Sequence, residues 1–227
     1  MGSILAALAT IVLTVLAALL ALPYVVDWNE YKAQFEAQAA KLVGRPVHIE
    51  GKIDLSILPI PHLELRGVRI SDEYGKFERP FAEVEGLNAV LSLPSLLSGV
   101  IEARSVILDQ PIIRLKTDEF GEGTWQSVGP YGLDLPIPVR EVVLNAVDIK
   151  DGAIELRQSR HQGEATRIDR ISGTFSAESL SGPFRFVGLG SIDGRGKEIK
   201  LSAARGQDAK SLRLKASLHS LDGISLY

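Results

Sequence analysis

From Pro46 to the end of the chain, apolar and polar residues alternate with a period of two, and no other feature restricts the fold as strongly. Val47, Ile49, Ile53, Leu55 and Ile57 alternate with His48, Glu50, Lys52, Asp54 and Ser56, the pattern of a strand with one apolar and one polar face. Gly51 marks a bend or bulge in this run. Leu63 and Leu65 continue the pattern, and Gly67 shifts its phase to Val68 and Ile70, as a bulge does. The last strand is equally plain, with Leu212, Leu214, Ala216 and Leu218 set against Arg213, Lys215, Ser217 and His219. Between these ends the spacing predicts strands over 81–91, 100–108, 111–116, 141–149, 152–158, 166–176, 183–192 and 197–204, about eleven in all. Asp151-Gly152 and Asp193-Gly194 supply hairpin-type turns. A short helix over 94–98 opens at Pro94 and closes at Gly99, residues 121–138 read as a long loop, and no repeat has a clean period.

The N-terminus is of a different kind. No charged side chain occurs before Asp27, and Ile4 through Val26 form an apolar run broken only by Pro23. As a helix this run reaches roughly 34 Å, enough to cross a hydrocarbon core of about 30 Å with some tilt. It therefore reads as an uncleaved anchor over 4–26, with residues 1–3 as a short N-terminal stub. A cleaved secretory signal fits less well, because there is no basic n-region and a cut after Ala21 would place Leu19 where a small residue belongs. Charge bias does not decide orientation, since only Lys32 and Lys41 follow closely.

Residues 27–44 read as an amphipathic helix, with Asp27 and Glu30 in capping-box spacing and Gly44 at its end. Trp28, Tyr31, Phe35, Ala39 and Leu42 recur at helical spacing. That stripe covers one end of the following sheet, while Trp28 and Tyr31 also suit a membrane interface. The β-rich remainder, 45–227, forms the main domain.

An antiparallel sheet with a single apolar face must set that face against something. One soluble amphipathic helix shields only a few of about eleven strands. Three solutions stay open: closure on itself as a sandwich, pairing with further sequence, or holding a lipid. Each buried methylene contributes about 0.8 kcal/mol, so moving a sixteen-carbon chain from a bilayer into water costs on the order of 12 kcal/mol. A continuous apolar groove would remove most of that cost. The chain stops at Tyr227 soon after a strand, which suggests part of a longer groove with an edge otherwise exposed.

Other chemistry finds little support. Cysteine is absent, which excludes disulfides and thiolate sites, and a net charge of −3 without a basic stripe speaks against nucleic acid. His48, His62, His161 and His219 lie far apart without ligand spacing, so no metal or cofactor is expected. Neither a G-x-S-x-G nor a P-loop occurs, and Gly188, Gly190 and Gly194 open no helix. Asp118, Glu119 and Glu122 resemble a calcium loop only faintly and read as a solvated turn, with Trp125 pinning it. Asp54 and Glu64 sit at outward strand positions rather than forming a catalytic pair. No catalytic residue is assigned, and an enzyme is not expected.

Several stretches resemble the AsmA family of bacterial inner-membrane proteins: DWNEYK at 27–32, VGRPVHIEG at 43–51, IDLSILPIPHLELRGVRISD at 53–72, IEARSVILDQPIIRLK at 101–116, Gly121 to Trp125, and DIKDGAIEL at 148–156. Thr124 stands where family members often carry Asn, and members are commonly much longer. The resemblance implies an N-terminus in the cytoplasm, a single-pass inner-membrane anchor and a periplasmic domain. It implies a mainly β fold in which an elongated antiparallel sheet curves into a U-shaped apolar groove, and phospholipid movement from inner to outer membrane in support of envelope integrity. A scaffold for outer-membrane protein assembly, with a dry core, is the competing expectation. The expected partners are phospholipid acyl chains, the inner membrane and outer-membrane or envelope proteins. The side chains expected to line the groove are Val47, Ile49, Ile53, Leu55, Ile57, Leu63, Leu65, Leu212, Leu214 and Leu218.

Overall fold

The computed structural model describes residues 2–25, 27–98, 100–117, 141–158, 165–177, 183–205 and 212–220. Helix α1 runs over Gly2–Val25 and is followed by a 3-10 turn at Trp28–Tyr31 and by helix α2, Lys32–Val43. Asp27 accepts a hydrogen bond from the Asn29 N–H and so caps the 3-10 turn rather than α2 itself. Gly44 ends α2 in the left-handed conformation, φ 80°, where it carries no Cβ penalty. The side chains described in α1, Ile4–Val15 and Ala17, are exposed, including Ile4 (76%) and Leu13 (70%). Among the described residues no helix is found that is long and apolar enough to cross a membrane.

The rest is strand: β1 Val47–Ile49, β2 Ile53–Ser56, β3 His62–Ile70, β4 Ala82–Leu91, β5 Val100–Asp109, β6 Ile112–Thr117, β7 Glu141–Gln158, β8 Thr166–Ala177, β9 Phe184–Ile192, β10 Arg195–Arg205 and β11 Leu212–Ser220, with a short helix α3 at Leu93–Leu97. All eleven strands belong to one sheet in the order β1-β3-β4-β5-β7-β8-β9-β10-β11; β2 also pairs with β3, and β6 with β4 and β7.

The sheet is mixed, which corrects the expectation of a purely antiparallel one. β7 runs parallel to β5 over its first half and to β6 over its second. β5 and β6 are not a hairpin: the chain passes Gln110, φ 49°, and Pro111 and continues in the same direction, so β7 must start again from the same end. A crossover connection of this kind needs a dozen residues or more, and 118–140 supplies them.

The two Asp-Gly pairs behave differently for a stated reason. A two-residue type I′ turn needs both central residues at positive φ. Asp193 (φ 52°) and Gly194 (φ 77°) meet that condition and turn β9 into β10. At 151–152 only Asp151 (φ 51°) does, so the strands expected over 141–149 and 152–158 are one strand, β7. Gly152 answers a packing demand instead, because a Cβ there would lie 3.0 Å from Pro111 Cγ and 3.1 Å from Pro111 O.

Asp151 belongs to a crease that crosses the sheet. Gly67 (φ 64°) in β3, Gln110 between β5 and β6, Asp151 in β7 and Arg170 (φ 52°) in β8 lie at matching positions across the sheet, with β4 between the first two. In β7 and β8 the register shifts here, and Ile149, Ile154, Ile168 and Ile171 pack into one cluster from both sides of the crease. The apolar face thereby stays continuous across the crease.

The opposite face carries an alternating line of charge on one side of the crease. Arg69 pairs with Glu50 at 2.6 Å and reaches Glu83 at 4.0 Å; Arg114 pairs with Glu83 at 2.6 Å and Glu155 at 3.5 Å; Arg167 pairs with Glu155 at 2.6 Å. Each pair is partly solvated and worth about 0–1 kcal/mol, so its value lies more in fixing register than in stability.

Candidate functional site

The apolar face is built from cross-strand rows. Residues opposite one another in a ladder point to the same face, so register converts sequence alternation into a surface. One row starts Leu55–Leu63–Ala89–Val106 across β2, β3, β4 and β5, and continues Val147–Phe175–Phe186–Leu201–Ala216 across β7 to β11. The next starts Ile53–Leu65–Leu87–Leu108 and continues Ile149–Gly173–Gly188–Ile199–Leu218 over the same nine strands. A third, nearer the strand ends, joins Leu91, Ala103, Leu144, Ala177, Phe184, Ala203 and Leu214. At about 4.8 Å per strand, nine strands span about 38 Å.

Two packed clusters lie along these rows. Ala89, Ala103, Val106 and Val147 form one, and Ile171, Phe186 and Ile199 form the other. Phe175 packs against both, so they are parts of one surface. Around the second cluster an apolar cavity of about 470 Å³ opens among Ile149, Phe175, Phe186, Ile199, Leu201 and Leu218. That size lies within the usual range for small-molecule sites, about 300–1,000 Å³. Two of its lining side chains need glycine beside them. A Cβ on Gly188 would lie 2.7 Å from the Phe186 ring, and one on Gly190 would lie 2.8 Å from Ile199 Cδ1. The large side chains thus lie across bare backbone.

The expected lining residues fall into this scheme unevenly. Ile53, Leu65 and Leu218 share one row, Leu55 and Leu63 another, and Leu214 occupies the third. Val47 lies beyond the crease in a row with Ile70, Ala82, Ile113, Ile154, Ile168 and Ile192, and Ile49 lies opposite Val68. Val47, Ile49 and Ile53 are buried, in strands adjoining the helical segment rather than in either packed cluster. Leu212 is the ladder partner of Arg205 at the start of β11, and Ile57 follows β2 in the turn that contains the cis Leu58-Pro59 peptide. The sequence reading missed the central residues Val106, Val147, Phe175, Phe186 and Ile199. Their alternation was visible; their convergence depends on register.

At the β1–β2 edge, helix and strands are joined through side chains. The Ile49 N–H donates to Glu36 Oε1 at 2.8 Å, the Ile53 N–H to Asn29 Oδ1 at 3.1 Å, and Lys32 Nζ to the Glu50 carbonyl at 3.3 Å. Trp28 and Tyr31, proposed for a membrane interface, lie together in the 3-10 turn with ring centroids 6.2 Å apart. Tyr31 is 46% exposed, and Trp28 borders a polar cavity with Lys52, Asp54, Glu64 and Arg66. Asp54 and Glu64 are direct ladder partners. Among the described residues no group of His, Asp and Glu could hold a metal. Residues 118–125, including Trp125, lie outside the described residues.

The sequence model of the AsmA family matches residues 1–179, more than half of the chain. No curated protein and no solved structure matches it.

Proposed function

The chain belongs to the AsmA family, and from that premise we propose that it is an inner-membrane-anchored envelope protein that binds phospholipid acyl chains along its apolar face and passes them toward the outer membrane. One observation carries the proposal: apolar rows run in unbroken register across nine strands, from β2, which contacts α1, to the outermost strand β11. A track that begins at the membrane helix and never meets a charged row lowers the cost of moving an acyl chain at every step. The bare Gly173–Gly188 step in the second row is flanked by Phe175 and Phe186, which keep it apolar.

The uncharged helix α1 serves as the anchor, with its N-terminus in the cytoplasm and the sheet in the periplasm. Exposed side chains such as Ile4, Leu8 and Leu13 need a non-aqueous environment, which a bilayer provides. Binding and transfer, not catalysis, is the proposed activity. A photo-crosslinking residue placed at Phe175 or Phe186 in the full chain tests it. Phospholipid adducts should form there and not at Thr174, whose hydroxyl donates to Asp148 on the polar face. Charging Ile53 and Leu55 together, as aspartates, should reduce the adducts. Equal adducts from both faces, or none from either, would exclude a lipid track.

A second reading has its own observation. β11 pairs only with β10 among the described residues, so its nine-residue outer edge can accept a strand from an envelope protein under assembly. A folded chain free of lipid adducts would favour it.

A further inference from the structure

A cavity of about 760 Å³ lies at the end of β7 to β11, and among the described residues its positive charge has no acidic partner. Several cations elsewhere on the polar face have partners: Arg69, Arg114 and Arg167 lie in the alternating line, Arg66 pairs with Glu64, and Lys200 pairs with Glu198. In this cavity the ladder brings Ser176, Arg185, Ser202 and Lys215 into one row, with Asn145 beside it. Among the described residues no carboxylate lines it. The Asn145 amide donates to Glu102 at 2.9 Å, and the Ser95 hydroxyl donates to the same carboxylate, so that acid is already engaged. Arg185 and Lys215 stand two strands apart, about 10 Å between Cα atoms, with the Ser202 hydroxyl between them. Two cations at that spacing, with hydroxyls between, suit an anion with several acceptor oxygens.

This cavity adjoins the apolar one. Phe184, Arg185, Ser202 and Ala203 border both, at the start of β9 and near the end of β10, where the apolar face meets the end of the sheet. A molecule with its tails among Phe175, Phe186 and Leu201 would bring a head over this rim to Arg185 and Lys215. We propose that the cavity binds the phosphate of an anionic lipid headgroup, with Arg185 and Lys215 as cationic contacts and Ser176 and Ser202 as hydrogen-bond donors. The proposal rests on the reading of the apolar face as a lipid surface.

Native mass spectrometry of the full chain, released from maltoside micelles holding equal amounts of dioleoylphosphatidylglycerol and dioleoylglycerol, tests it. The natural sequence should retain the phosphate-bearing lipid about tenfold over the uncharged one. Arg185→Gln with Lys215→Gln should bring the two to parity while dioleoylglycerol retention stays unchanged. Ser202→Asp, which sets a carboxylate between the cations, should do the same, and Lys150→Gln, at a cation facing Asp109, should not. A ratio that survives the double substitution overturns the proposal and leaves the apolar face standing. Retention of neither lipid by the natural sequence overturns the apolar-face reading, and this proposal with it. Glycerol phosphate bound as tightly as the lipid would mark a free-phosphate site and overturn the headgroup assignment.

Discussion

The two edges of this sheet are finished in opposite ways. At the N-terminal edge the strands are short, three residues in β1 and four in β2, and helical side chains take up the N–H groups of Ile49 and Ile53. At the C-terminal edge β11 runs for nine residues, pairs only inward among the described residues, and leaves Leu218 56% exposed. Edge strands usually carry a device against further pairing, and among the described residues only the first edge has a helical cover. The interior follows the same division. Aliphatic and small side chains pack the face from β4 to β7, whereas an apolar cavity opens beside Phe186 and Ile199 toward β11. The closed end suits attachment, and the open end suits holding something.

The largest expected effect separates those ends. A Cβ on Gly173 would lie 2.4 Å from both Gly188 Cα and Val187 O, so Gly173→Ala must push two backbones apart. We expect a cost of about 3 kcal/mol or more. In hydrogen exchange, β9 to β11 should lose protection while β3 to β5 keep theirs. Uniform loss along the whole sheet would show that both ends melt as one unit.

The edges themselves give the next contrast. Glu36→Ala leaves the Ile49 N–H unpaired beside one of the most buried side chains, Ile49 at 1% exposure, and should cost about 1–3 kcal/mol. Leu218→Lys at the open edge should stay within about 0.5 kcal/mol. Urea midpoints of the two variants compare them directly. Similar shifts would mean that β11 is covered as well. Between these lies the crease: Gly67→Ala places a Cβ at positive φ, 3.1 Å from Glu50 Cβ, and should cost about 1–2 kcal/mol.

Much of this architecture was legible as alternation. The strands expected over 81–91, 166–176 and 183–192 correspond closely to β4, β8 and β9, and Gly67, where a phase shift was expected, has a positive φ of 64° while the β3–β4 register runs on past it. Direction was less legible. Asp151-Gly152 and Asp193-Gly194 are identical dipeptides, and only the packing of Pro111 against Gly152 separates a through-strand from a hairpin. The candidate site was half legible for the same reason. Ile53, Leu65 and Leu218 were singled out from their own strands, yet that they share a row follows only from eight successive pairings. Arg185 and Lys215 gave no signal, since each is an ordinary polar-face cation until register sets them in one row with Ser176 and Ser202.

The smallest expected effect lies where the two ends meet. Glu102 in β5 accepts hydrogen bonds from Ser95 in α3 and Asn145 in β7, and these hold its carboxyl below the usual glutamate range. A carboxylate with a lowered folded-state pKa stabilises above its unfolded value, and that contribution disappears as pH falls through the lowered one. The link between α3, β5 and β7 should therefore be intact at neutral pH and loosen only in acid, below about pH 4. Glu102→Gln, which keeps a carbonyl acceptor but cannot titrate, should make the amide exchange of Ser95 and Ser98, corrected for intrinsic rates, insensitive to pH across that window. Because Glu102 is largely solvated, the change should stay local to α3 and the start of β7. Acid loosening that instead spread to β9 and β10 would tie the open end of the sheet to the closed one through this single carboxylate.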